Sequence, residues 1–241
     1  MRALIGTIAA LAMAAGAHAA RPDGPSCSID PSKPKYYRLE LTVPATFCMG
    51  SGGRSDPSCA SFPKPGVQLH GLWPNYQAGY PSGTCGSACK GKGKDNGGGK
   101  FCAYPKPEGL YESKAWNAGK GYMAGLEKCL ERHEWVKHGT CSPMKPADYF
   151  GWALEHTKTF ADAVAPMLDR PVARSEFDAV IAKKLPKLDG AVHLKCKGKF
   201  VNSLYVSFEW GQQQPGAPMR TKGGANSYGN CGNEFIFPSK I

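Results

Sequence analysis

His133-Glu134-Trp135-Val136-Lys137-His138-Gly139-Thr140-Cys141 crowds two imidazoles, a carboxylate and an ammonium into one short stretch. The apolar spacing of Ala124, Leu126, Leu130 and Trp135 predicts that Glu108–His138 is largely helical. On such a helix Glu134 and His138 share a face, and His133 and Lys137 share an adjoining one. A solvated helix face accounts for Glu134 or Lys137 alone. It accounts less well for all four beside a glycine and a cysteine. Downstream, Asp148–Val164 reads as a second helix, and Ser175 with Asp178 opens a third. Strand patterns flank this helical centre. Tyr36–Val43 and Val67–Leu72 precede it, and Ala191–Cys196, Asn202–Trp210 and Glu234–Phe237 follow it. Strands, then helices, then strands predict one α+β domain with a central antiparallel sheet flanked by helices.

The ends and the composition narrow the class. Arg2 precedes a small, apolar run from Ala3 to Ala17, closed by Ala17-His18-Ala19. This predicts a signal peptide over residues 1–19, leaving a domain over 20–241. The run is short for a membrane span, and no later run is long enough, so no membrane association is expected after its removal. Ten cysteines follow, which implies disulfides in an oxidising compartment, secreted or periplasmic. The net charge of +11 favours a polyanionic partner: nucleic acid, acidic glycan or anionic membrane. Gln77–Lys100 is rich in Gly, Lys and Ser and reads as a surface loop. Within it, Gly86–Lys92 has the spacing of a phosphate-binding loop, but Gly93 follows where Ser or Thr should hold magnesium, and no strand precedes it.

A second segment, His70-Gly71-Leu72-Trp73-Pro74, supplies a further histidine from a different part of the chain. Zinc chemistry fits poorly. His133 and His138 are rotated about 140° apart on a helix, at ~100° per residue. Proton transfer without metal fits better. RNA carries its own nucleophile, the 2′-hydroxyl. Its cleavage needs a base, an acid and cations around the phosphate, and histidine suits both proton roles.

Both segments resemble the two active-site signatures of the ribonuclease T2 family of secreted and periplasmic acid endoribonucleases. Tyr36-Tyr37-Arg38-Leu39-Glu40-Leu41 with Pro44 and Phe47-Cys48 resembles that family's first strand. Cys196, Cys231 and Ile236-Phe237-Pro238 resemble its C-terminal part. The resemblance implies a catalytic trio of His70 (general acid), His138 (general base) and Glu134. It implies substrate contacts from Lys137 and His133 to phosphate and from Trp73 to a base. Asn75 stands where many members carry an acidic residue that helps choose the base, so an altered preference is expected. The resemblance further implies Cys48–Cys59, Cys102–Cys141 and Cys196–Cys231 bridges, with Cys27, Cys85, Cys89 and Cys129 pairing among themselves. The expected protein is a monomeric endoribonuclease acting on single-stranded RNA, not DNA, without a cofactor. Two rivals remain: a non-catalytic polyanion-binding protein on the same scaffold, and a zinc hydrolase.

Overall fold

The computed structural model describes residues 33–53, 55–60, 62–77 and 100–241. The expected signal peptide, Cys27, Cys85, Cys89 and nearly all of the Gly- and Lys-rich segment lie outside these residues.

Strand β1 (Lys35–Thr42) lies between β2 (Gln68–Tyr76) and β5 (Phe200–Glu209), antiparallel to both. Strand β4 (Val192–Lys197) pairs antiparallel with the other edge of β5. Strand β6 (Glu234–Ile236) meets β5 through one parallel pair, Phe200 with Ile236, and pairs antiparallel with β3 (Pro171–Ala173). The sheet is therefore antiparallel throughout except for that one mixed junction.

One face of the sheet makes the core. Tyr37, Leu39 and Leu41 of β1 and Leu204, Val206 and Phe208 of β5 are almost fully buried, as alternation requires. Against them packs α4 (Pro146–Val164), with Pro146 in its first turn and Tyr149, Phe150, Leu154 and Phe160 inward. The ring of Trp152 meets Phe208 edge-on at 4.9 Å. Helix α5 (Arg174–Lys184) adds Phe177 and Ile181. Each such side chain contributes about 1.5–3 kcal/mol of burial, so the helix–sheet layer holds the fold. No helix among the described residues is long and apolar enough to cross a membrane.

Three expectations are corrected. The stretch from Glu108 to His138 is not one helix. It contains α2 (Lys114–Gly119), short 3₁₀ turns at Lys120–Tyr122 and Leu126–Lys128, and α3 (Leu130–Lys137). Gly125 and Cys129 both take left-handed backbone angles (φ +63° and +58°), and a helix cannot pass through either. Cys102 pairs with Cys129, not with Cys141, so the bridge clamps the residue from which α3 starts. Cys141 is itself disulfide-bonded. The bridges Cys48–Cys59 and Cys196–Cys231 form as expected. Such bonds are formed in an oxidising compartment. Finally, β2 does not stop at Leu72. It runs through Pro74 to Tyr76, which an edge strand permits because no ladder hydrogen bond is lost there. A short helix α1 (Pro44–Cys48) and β3 were not foreseen.

Candidate active site

The position of His70 depends on an irregularity in β2. Glu40 pairs with Gly71 and Leu41 pairs with Leu69, so His70 is one residue too many. This is a β-bulge. It lets Leu69 and Leu72, three apart, both face the core with no exposure. The same bulge places His70 beside Gly71 and Trp73 on the opposite face, where simple alternation would set His70 with Leu72.

Helix α3 approaches that face and closes the site. Trp135 and Leu130 anchor it in the core, and its other side presents His133, Glu134 and Lys137. The helix ends at His138, whose backbone leaves helical geometry. Gly139 follows because a Cβ there would lie 2.2 Å from the Trp135 ring. Gly71 answers a similar demand. A Cβ there would lie 2.2 Å from Glu134 Oε2 and 2.3 Å from Trp73 Nε1.

The carboxylate of Glu134 sits between the two imidazoles. His70 Nε2 is 3.6 Å from Oε1, and His138 Nε2 is 3.8 Å from Oε2. Trp73 Nε1–H donates to Oε2 at 2.8 Å. The Trp73 ring meets His70 edge-on at 5.2 Å and stacks on His138 at 5.1 Å. His133 packs against Phe101 at 4.5 Å. These groups line a cleft of about 340 Å³ together with Lys137, Lys64 and Lys128.

Burial and charge set the proton inventory. Burial pushes the Glu134 carboxyl up to about 8, against the pull of the Trp73 N–H and of Lys137. Burial, then the cations His133, Lys137, Lys128 and Arg38, push His70 down to about 4. Water in the cleft tempers this shift, because 42% of the His70 side chain stays exposed. Burial first, then Lys137, His133 and His70, hold His138 well below the usual imidazole range. Positive charge is disfavoured here and incoming negative charge is favoured. Two imidazoles and a protonatable carboxyl can therefore exchange protons around an anion held by lysines.

Of the seven residues read from the sequence, six line this cleft. Asn75 does not. It is buried, and its amide donates to the carbonyl of Trp73 at 2.9 Å. Sequence reasoning missed Lys128, Lys64, Phe47 and Phe101. Lys128 is held by Asp56 at 2.5 Å, and its ammonium lies 5.5 Å from the Phe47 ring and 5.9 Å from that of Phe101. No periodicity could have found it, because the left-handed Cys129 lies between it and α3. Among the described residues, no group of three or more His, Cys, Asp or Glu is arranged to hold a metal ion.

Ribonuclease I of Escherichia coli K12 is 29% identical over 151 residues, covering 57% of this chain and 54% of its own length. A ribonuclease of Aeromonas hydrophila is 38% identical over 116 residues, covering 47% of this chain and 40% of its own length. The chain thus spans about half the length of the curated relatives it matches. Among solved structures, an RNase-related protein from Calystegia sepium aligns with a TM-score of 0.54 at 18% identity, over 86% of this chain and 98% of its own. RNase NT, solved in complex with 5′-AMP, aligns at 0.56 and 18%, over 85% and 98%. At that identity the likeness concerns the fold. The model of the Ribonuclease T2 family matches residues 34–213, which include His70, Trp73 and the whole of α3, and the chain belongs to that family.

Proposed function

We propose that the protein is an endoribonuclease that cleaves single-stranded RNA through the 2′-hydroxyl. One observation carries this reading: Glu134 lies between His70 and His138, at 3.6 and 3.8 Å, in a cleft lined by lysines. His138 takes the proton of the 2′-hydroxyl. The 2′-oxygen attacks the adjacent phosphorus, and the P–O5′ bond breaks. His70 gives its proton to the departing 5′-oxygen. The products are a 2′,3′-cyclic phosphate and a free 5′-hydroxyl. Water opens the cyclic ester in a second step, with the two proton roles reversed, and leaves a 3′-phosphate. The atoms balance without a metal or redox partner.

Glu134 and Lys137 stabilise the charge that develops on the phosphoryl oxygens, the carboxyl as a hydrogen-bond donor while protonated. His133 adds a contact to phosphate. Trp73 holds Glu134 with its N–H and forms the wall against which a nucleotide packs. Asn75 is assigned no contact with the base, because it is buried away from the cleft lining, with one amide N–H on the Trp73 carbonyl. A leader over residues 1–19 and a monomeric domain over 20–241, secreted or periplasmic, complete the proposal.

The test is incubation of the purified protein with RNA and with DNA in excess chelator. The reading expects RNA to be cut and DNA to survive. Binding of both without cleavage would favour the polyanion-binding alternative. Loss of activity in chelator would remove the metal-free mechanism.

A further inference from the structure

The sheet face that carries the catalytic residues does not end at the cleft. Arg38 pairs with Trp73 across β1 and β2, and Glu40 pairs with Gly71 on one side and Tyr205 on the other. Tyr205 pairs with His193 on β4, and Ser203 pairs with Lys195. The side chains form a continuous row. The Arg38 guanidinium lies 5.6 Å from the Trp73 ring and 3.7 Å from the Tyr205 ring. Tyr205 and His193 stack at 4.3 Å, within 3° of parallel. Lys195 Nζ stands 5.7 Å from Tyr205. Lys195 and Lys197 are exposed. Lys197 Nζ reaches Gly50, just beyond the α1 residue Cys48 that lines the cleft. Among the described residues, the acids that the strands themselves place on this face are Glu40, paired with Arg38 at 2.7 Å, and Glu209 at the far end of β5; Glu134 meets it from α3 at Trp73. Helices α4 and α5 pack on the opposite face.

We infer that this face, from Trp73 across Arg38 to Lys195 and Lys197, is a track for the RNA strand beyond the scissile phosphate. The inference rests on the ribonuclease reading for its occupant. Cationic tips suit a phosphate backbone. The Arg38 guanidinium and the Tyr205 and His193 rings are already stacked on one another, so they offer their polar edges more than their faces. The track therefore grips phosphates and is indifferent to base.

The test uses a 2′-O-methyl oligonucleotide too long for the cleft. It has no attacking hydroxyl, so binding is read whether or not the protein cleaves RNA. For single strands the slope of log K against log salt is about 0.7 per phosphate contacted, so Lys195→Gln with Lys197→Gln should lower it by about 1.4. Turnover of a dinucleoside monophosphate, which ends inside the cleft, should not change. Lys183→Gln with Lys184→Gln on α5 removes equal charge and should leave the slope intact. Equal slopes in both double variants would overturn the track. Loss of binding to anionic phospholipid vesicles but not to the oligonucleotide would assign the face to a membrane and also overturn it. If the slope falls as expected but the unaltered protein cuts no RNA, the track stands and the ribonuclease reading fails.

Discussion

The indole N–H of Trp73 and the carboxylate of Glu134 are hydrogen-bonded at 2.8 Å, linking the bulged strand β2 to helix α3. The bond holds a carboxyl that is otherwise surrounded by protein, and it fixes that carboxyl between the two imidazoles, with Oε1 towards His70 and Oε2 towards His138.

Trp73→Phe keeps an aromatic wall but removes the donor. Leaving a buried acceptor unsatisfied costs about 1–3 kcal/mol. Turnover should fall by about one to two orders of magnitude at 1.4 kcal/mol per tenfold, with KM changing less. Steady-state kinetics on a dinucleoside substrate checks this. Unchanged kcat would mean that the bond does not position Glu134.

Glu134 gives the fold a pH signature. Its carboxyl is raised to about 8, so its contribution to stability is complete below the ordinary carboxylate range and is lost as pH rises towards 8. The imidazoles act oppositely. Their pKa values are depressed, so their contribution is complete above the ordinary imidazole value and is lost as pH falls through the lowered one. Between about pH 6.5 and 8 only the carboxyl term changes, by up to about 1.4 kcal/mol per pH unit. Denaturant titrations should show stability falling across that window, and Glu134→Gln should flatten the fall. A variant with the wild-type slope would show that Glu134 is already ionised.

Activity should peak on the acid side. Both imidazoles are held below their usual range, and catalysis needs one protonated and one neutral. The kcat/KM profile should therefore be a bell centred below pH 6.5, the ordinary imidazole value. A bell centred above pH 7 would contradict the electrostatics of the cleft.

Gly71→Ala tests the fit between strand and helix. The new methyl would meet Glu134 Oε2 and Trp73 Nε1, both polar atoms held by each other. Overpacking of this kind costs about 1–3 kcal/mol. The variant should fold and lose most of its activity, as circular dichroism and initial rates would show. Full activity would mean that Glu134 can withdraw without consequence.

Much of this site was legible in the sequence, and the reasons differ by residue. His133, Glu134, Lys137 and His138 come from one short segment, so local helical spacing sufficed to group them. Helix α4 was visible through its 3.6-residue apolar repeat, and β1 and β5 through alternation. His70 and Trp73 came with their motif, but their shared face depends on a bulge set by pairing with β1. Alternation within β2 alone predicts the other face for His70. The break at Cys129 was hidden for a related reason. A non-glycine residue takes a left-handed conformation only where tertiary contacts and its bridge to Cys102 hold it there. Lys128, with its partner Asp56 far along the chain, and the row from Arg38 to His193 depend on contacts between distant segments, and no local pattern encodes them.

The central claim is that His70 and His138 move protons at the two ends of one scissile phosphate. A DNA strand carrying a single ribonucleotide tests it most directly, incubated in chelator with the unaltered protein, His70→Ala and His138→Ala. The account predicts one cut, on the 3′ side of that ribonucleotide, ending in a 2′,3′-cyclic phosphate, slowed about 10²–10⁴-fold in each variant. Cuts at the deoxynucleotides, or wild-type rates in either variant, would contradict it.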